Sequence, residues 1–191
     1  TAGDNISIGR SAGQGYHGVG QTEFQSNTTN RYNVSIGSYA GQRAIGTNSV
    51  NVGYQAGWYA TGSNNTFLGS QAGKGGTTSA PYSSGQKNTA IGYQALTGFT
   101  TGHENTVMGY QAAYSLTTAD NNVVIGYQTG YSLTTARYNV LIGDSAGRSL
   151  TTTSDNNENV MIGNSAGRNA DAATVAARYN VYVGSGAGYY M

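Results

Sequence analysis

The sequence predicts an all-β fold: a single-stranded parallel β-solenoid (β-roll) of about ten coils. Three observations predict it. A nine-residue motif of the type Asn-Val-x-Ile-Gly-x-x-Ala-Gly recurs ten times along the 191 residues. Aliphatic residues or Thr occupy its second and fourth positions, which is the period of a β-strand. Of nine basic and eight acidic residues, only Arg10 and Asp144 lie within a motif, as expected where like charges would otherwise stack.

The spacing of the motifs favours one narrow coil per motif. The shortest step between successive motifs is 16 residues, which is too few for a propeller blade or a two-helix repeat. It suits a short strand-turn-strand unit that is stable only when its neighbours stack on it. We therefore expect one β-solenoid domain over residues 1–191, as a segment of a longer fibre.

The first and fifth motif positions predict two structural ladders. Asn tolerates left-handed dihedral angles at a corner, and stacked amides can hydrogen-bond along the column. The fifth-position Gly allows a sharp bend with φ > 0. The ladder residues are Asn5, Asn33, Asn65, Asn88, Asn105, Asn122, Asn139, Asn159, Asn180, Gly9, Gly37, Gly53, Gly69, Gly92, Gly109, Gly126, Gly143, Gly163 and Gly184, with Ser49 in place of one Asn.

The period-two alternation leads us to place the second and fourth positions inside a thin core, where the eighth position is Ala in nine motifs. The third position should then face outward, although it is apolar in the last seven motifs. A second copy of the chain would cover such a stripe. The alternative is an inverted in/out phase. The expected oligomer interface is Phe67, Val107, Val124, Leu141, Met161 and Tyr182.

The segments after the motifs add one more apolar column. Four of them align as TGFTT, YSLTT, YSLTT and RSLTT. Phe99, Leu116, Leu133 and Leu150 then fall in one column, which we interpret as a second small core.

Aromatic residues provide the candidate binding groups. Tyr occurs 16 times, and Tyr54, Tyr93, Tyr110 and Tyr127 share the sixth motif position. We interpret these four as a cross-coil ladder that stabilises the stack. Aromatic residues outside the motifs could instead stack on sugars. The ligand-binding candidates are Tyr16, His17, Trp58, Tyr59 and Tyr82.

The sequence gives little support for catalysis, metal binding or nucleic-acid binding. Its two histidines, His17 and His103, are far apart, so we expect no catalytic residues and no enzyme. The Asp/Asn clusters at 120–122 and 155–159 fit turns better than metal sites, and we expect no metal or cofactor. A formal net charge of +1 provides no basic patch for nucleic acid. No apolar run suggests membrane insertion.

The NTxxGYQAG and NVxIGxxAG strings, which recur through all ten motifs, resemble repeats of bacteriophage tail fibres. They are also similar to the head repeats of trimeric autotransporter adhesins, which form a left-handed parallel β-roll. The resemblance implies a left-handed coil, a homotrimer, an extended rod, an extracellular location on a virion or cell surface, and attachment to a host. The connections here are longer and less equal than those of the adhesin heads.

We therefore expect a structural and adhesive shaft that binds itself and a host-surface glycan or protein. One alternative is a subunit of a self-assembling extracellular filament. A second is an ice-binding solenoid, because paired threonines at 100–101, 117–118, 134–135 and 151–152 also align.

Overall fold

The computed structural model describes residues 4–14, 31–78, 82–150, 157–169 and 178–190. In these ranges each motif contributes one three-residue strand, and no helix is present. The strands are β1 (Ile6–Ile8), β2 (Val34–Ile36), β3 (Val50–Val52), β4 (Thr66–Leu68), β5 (Thr89–Ile91), β6 (Thr106–Met108), β7 (Val123–Ile125), β8 (Val140–Ile142), β9 (Val160–Ile162) and β10 (Val181–Val183).

The ten strands form one parallel sheet in sequence order, β1 to β10, which confirms the predicted all-β parallel solenoid. Every strand pairs with the next at the same motif positions, so that Asn51, for example, lies opposite Ser35 and Phe67. We call each strand with its turn a rung, and the chain from one leading Asn to the next a coil. Nine steps of about 4.8 Å place β1 and β10 about 43 Å apart.

The second half of the motif is a run of turns, so the expected second strand is wrong. Backbone bonds within the rung, such as Ala56 N–H to Gly53 C=O (3.3 Å), alternate with bonds to the next rung, such as Gly57 N–H to Ala72 C=O (3.0 Å). The seventh motif position adopts positive φ, as at Gln55 (57°). This curvature removes the extended geometry that a second ladder needs.

The in/out phase of the strands is the reverse of our expectation. The side chains of Phe67, Val107, Val124, Leu141 and Met161 are all 0% exposed. They form the core of the chain itself, against which Tyr182 packs half-buried, and so their assignment to an oligomer interface is wrong. The second and fourth positions lie on the outside of the sheet.

The third position faces inward because it packs against the turn of its own motif. A methyl group added at Gly73 would clash with the Phe67 ring, and one added at Gly167 would clash with Met161. A large third residue therefore requires Gly at the ninth position. In the fifth motif the third residue is the small Ala90, and the ninth position is Leu96, which is 0% exposed.

Phe99, Leu116, Leu133 and Leu150 form a buried column, but it is not a separate core. All four are 0% exposed and belong to the same cluster as the third-position side chains and the eighth-position alanines. The Phe67 and Phe99 rings lie 5.5 Å apart. One continuous core thus fills the space between the strands and the segments that follow the turns.

The leading amides join the rungs and also close the coils. Asn122 Oδ1 accepts the backbone N–H of Asn139 (3.0 Å). The same bond joins each leading residue to the next from Asn5 to Asn180, and at one step the Ser49 hydroxyl is the acceptor in place of an amide oxygen. Asn122 Nδ2 donates to Ala136 C=O (2.9 Å), 14 residues later in the same coil. The positive φ expected at Asn belongs to the preceding residue, as at Asn121 (58°).

Two structural reasons favour Gly at the fifth position, and both apply at every rung except the last, where a Cβ on Gly184 would meet no neighbour among the described residues. Their φ values lie between 123° and 135°, a region that side chains rarely adopt. A Cβ on Gly126 would also lie within 3.0 Å of the Gly143 carbonyl on the next rung.

Candidate functional site

Three of the five predicted ligand-binding residues lie together, and Tyr16 and His17 lie outside the described residues. Trp58 and Tyr59 follow the Ala-Gly of the third motif, and Tyr82 precedes the strand of the fifth. Tyr39, a seventh-position residue that the sequence did not single out, joins them. We call these four residues the Trp58 cluster.

The rings of the Trp58 cluster stack in a continuous series. Tyr39 and Trp58 have ring centroids 5.5 Å apart, Trp58 and Tyr59 4.9 Å, and Tyr59 and Tyr82 5.8 Å, with interplanar angles of 25°, 10° and 20°. All four side chains are half-buried. Because Trp58 already stacks on two rings, the cluster presents ring edges and polar atoms to an incoming molecule more than open faces.

Three cations lie against this aromatic series. Arg10 lies 4.7 Å from the Tyr39 ring centroid and donates to its hydroxyl, while Lys74 Nζ lies 5.5 Å from the Trp58 centroid. Arg43 lies 5.3 Å from the Tyr82 centroid, and its Nη1 donates to the Tyr82 hydroxyl at 2.5 Å. Cation–π contacts of this kind fix the charges at defined places.

The Trp58 cluster has more hydrogen-bond donors than acceptors. Trp58 Nε1 and Arg43 Nε are both buried and have no acceptor among the described residues. The Tyr39 hydroxyl accepts from Arg10, so its own proton can be donated elsewhere. Because the two unpaired N–H groups are enclosed, a ligand at the surface would meet the cations and the tyrosine hydroxyls before it met either of them.

Two further ladders extend the same edge of the solenoid. The rings of Tyr93, Tyr110 and Tyr127 stack at 5.3 and 5.2 Å, which is the predicted aromatic ladder over three adjacent rungs. Tyr54 stands apart and meets Tyr39 edge-on at 6.2 Å.

The second ladder consists of seventh-position glutamines, and the sequence analysis did not predict it. The four seventh-position glutamines that follow Gln55 each donate from Nε2 to Oε1 of the preceding glutamine at 2.7–3.2 Å, and Arg148 Nε donates to Gln128. The signal was present as Gln at one motif position in five successive motifs. The glutamines are Gln55, Gln71, Gln94, Gln111 and Gln128.

A separate charged cluster lies at the corner before the strands. Lys87 Nζ donates to Glu104 at 2.8 Å, and this hydrogen bond raises the pKa of Lys87 and lowers the pKa of Glu104. Asp120 Oδ1 accepts the backbone N–H of His103 (3.0 Å), and the Asp120 carboxylate lies 3.0 Å from His103 Nδ1 and 3.2 Å from Arg137 Nε. Because these charges compensate one another, they form a structural network more readily than a binding site.

Within the described ranges, no three His, Cys, Asp or Glu side chains converge as metal ligands. No helix in those ranges is both long and apolar enough to cross a membrane. Comparison with protein-family models, curated proteins and solved structures found no match to this chain.

Proposed function

We propose that this chain is a structural and adhesive shaft, a segment of a phage tail fibre or bacterial surface adhesin. In this proposal three copies assemble into a stiff rod, each copy coils left-handed, and the rod presents its edges to a glycan or protein on a host surface. The supporting observation is the outer face of the ten-stranded sheet, which we call the strand face.

The strand face is apolar over its full length. It consists of the second and fourth motif residues, which are Val, Ile, Leu, Met or Thr at every one of the ten rungs. Several are largely exposed, including Leu68 (45%) and Met108 (40%). An apolar surface about 43 Å long is more than a monomer usually leaves in water. It consists of the second and fourth motif positions, which the sequence analysis places inside the core.

A second copy of the same chain is the partner that fits this face best. The face carries no charge, so identical surfaces can meet without repulsion. A symmetry axis parallel to the stack of strands would also bring every rung against the same rung of its neighbour. This match continues for the full height of the sheet, whereas an unrelated partner would need the same rung spacing.

The test is the mass in solution, measured by light scattering on the eluting protein. We expect three times the 19.7 kDa chain. Ile125→Lys, which places a charge in the middle of the strand face, should shift the mass toward one chain. Thr118→Lys adds the same charge at an exposed position outside that face and should leave the assembly intact.

Other outcomes would reject the proposal. A monomer at micromolar concentration would reject the assembly. Open-ended polymers would favour the filament alternative, and thermal hysteresis would favour the alternative of ice binding through the paired threonines.

A further inference from the structure

The basic residues of this chain are not distributed evenly around the coil. Five of the nine lie in the turn of a motif or just after it, on the edge that carries the Trp58 cluster and the Tyr and Gln ladders. We call this edge the basic-aromatic edge. Its cations are Arg10, Arg43, Lys74, Arg148 and Arg168.

These five cations have no carboxylate partner among the described residues. The three ion pairs in that part of the chain join Lys87 to Glu104 and Asp120 to His103 and Arg137, all at the corner before the strands. The cations of the basic-aromatic edge lie over rings instead, as Arg148 does over Tyr131 at 5.4 Å. A ring does not neutralise a charge, so each of these five side chains keeps its positive charge.

Within the ranges that the structure describes, one acidic side chain, Asp144, lies on the same edge at a sixth motif position. It is exposed and accepts a hydrogen bond from Ser145 at 2.7 Å. Among the described residues, the edge thus carries one carboxylate against five cations, with the cations on rungs 1, 2 and 4 at one end and on rungs 8 and 9 at the other.

The rungs between these two basic groups carry neutral hydrogen-bonding groups. The Tyr93, Tyr110 and Tyr127 rings stack face to face, so their edges and hydroxyls point away from the stack. Each ladder glutamine uses one amide proton for its neighbour and has another to offer. Donors follow one another at the rung spacing rather than converging on a point, which suits an extended polymer better than a compact molecule.

The chemistry of the edge selects among polymers. Nucleic acid would need open aromatic faces on which to stack bases, whereas Trp58 stacks on two rings and lies beneath Lys74. A polysaccharide offers hydroxyls to the Gln and Tyr groups, and acidic substituents on it would neutralise the cations.

We therefore propose that the basic-aromatic edge binds an acidic polysaccharide lying parallel to the solenoid axis. This inference rests on the proposed function, which it deepens by naming a class of ligand and its place. The shared chemistry is a chain of sugars bearing carboxylates or sulfates, and the test separates these two sources of charge.

The test measures binding of the assembled protein to four immobilised polymers by interferometry. Polygalacturonate supplies carboxylates, dextran sulfate supplies sulfates, dextran is neutral, and polyglutamate is an anion without sugars. We expect salt-sensitive binding to at least one acidic polysaccharide, with weaker binding to dextran and polyglutamate. The stronger of the two acidic polysaccharides identifies the preferred anion.

Matched variants locate the site. Lys74→Gln should weaken binding about fivefold, the loss expected for one exposed charge contact, and adding Arg43→Gln should weaken it further. Lys87→Gln makes the same substitution and the same change in net charge at the corner before the strands, away from the basic-aromatic edge. It should leave binding unchanged. The mass and melting temperature of each variant establish that it is folded.

Three results would overturn the inference: binding to neither acidic polysaccharide, equal binding to polyglutamate, or an equal loss in Lys74→Gln and Lys87→Gln. The two proposals fail separately. A monomeric protein that still binds polygalacturonate would refute the assembly and support the edge, and a trimer that binds no acidic polysaccharide would do the reverse.

Discussion

Packing between the third and ninth motif positions can be tested by giving one rung the pair of residues that another rung has at these positions. Phe67 faces Gly73 on one rung, and Ala90 faces Leu96 on the next. The backbone is the same in both, with φ of 51° at Gly73 and 54° at Leu96. The double variant Phe67→Ala/Gly73→Leu therefore imitates an arrangement that the chain already contains.

The single changes should each be costly. Phe67→Ala removes a fully buried ring and should cost about 3–5 kcal/mol. Gly73→Leu, made alone, overpacks the Phe67 ring for about 1–3 kcal/mol and places a side chain at positive φ for about 1–2 kcal/mol. Together they should cost less than the sum, because the leucine fills space that the ring has left. We expect a coupling energy of about 1–3 kcal/mol.

The assay is urea unfolding followed by circular dichroism at constant protein concentration, with the mass of each variant checked. Phe67→Ala combined with Gly147→Leu is the control. It changes the same residue types four rungs apart, about 19 Å, and should be additive. Additive costs for Phe67→Ala/Gly73→Leu would refute the proposed complementarity between the third and ninth positions.

Three further predictions concern the ladders. Gly126→Val should lower the melting temperature by many degrees, because its side chain meets the Gly143 carbonyl at unfavourable φ; an unchanged melting curve would contradict the Gly column. Asn122→Asp replaces a buried donor with an acceptor facing other oxygens, so the pKa of the new carboxyl should rise. The variant should then approach native stability below the unfolded pKa of about 3.9 and lose it as pH rises through the raised value; thermal melts at pH 3.5 and pH 8 that show the same deficit would refute this. Tyr110→Leu should cost about 1–3 kcal/mol through two lost ring contacts, and Tyr54→Leu less; equal costs in urea unfolding would argue against a stabilising ladder.

The stacking of the rungs could be predicted from the sequence, but the direction of the side chains could not. Ten equivalent Asn and Gly residues fix the register, since only a stack brings equivalent positions together. A three-residue strand satisfies a period of two in either phase, so Val123 and Ile125 could face in or out. The inward orientation of the third position is indicated by the complementary sizes of the third and ninth residues of a motif, as at Ala90 with Leu96 and Phe67 with Gly73.

Part of the candidate site could also be anticipated. Trp58, Tyr59 and Tyr82 were identifiable because they are aromatic residues outside the motifs. Tyr39 was not, because its contact with Trp58 joins a seventh position to the first residue after the next motif. That neighbourhood depends on the turns that replace the expected second strand. The Gln ladder needed no such geometry, since five glutamines at one motif position already imply a column.

The pairing of strands stays constant while the number of residues between them changes. Asn105 and Asn122 are 17 residues apart, Asn139 and Asn159 are 20, and all the strands meet in the same register. The length of the solenoid and the length of its connections are therefore independent: the number of motifs sets the length, and the connections change without disturbing the stack. Copying residues 105–121 once would extend the protein by about 4.8 Å with every column still aligned, so reach could evolve, or be engineered, in fixed increments.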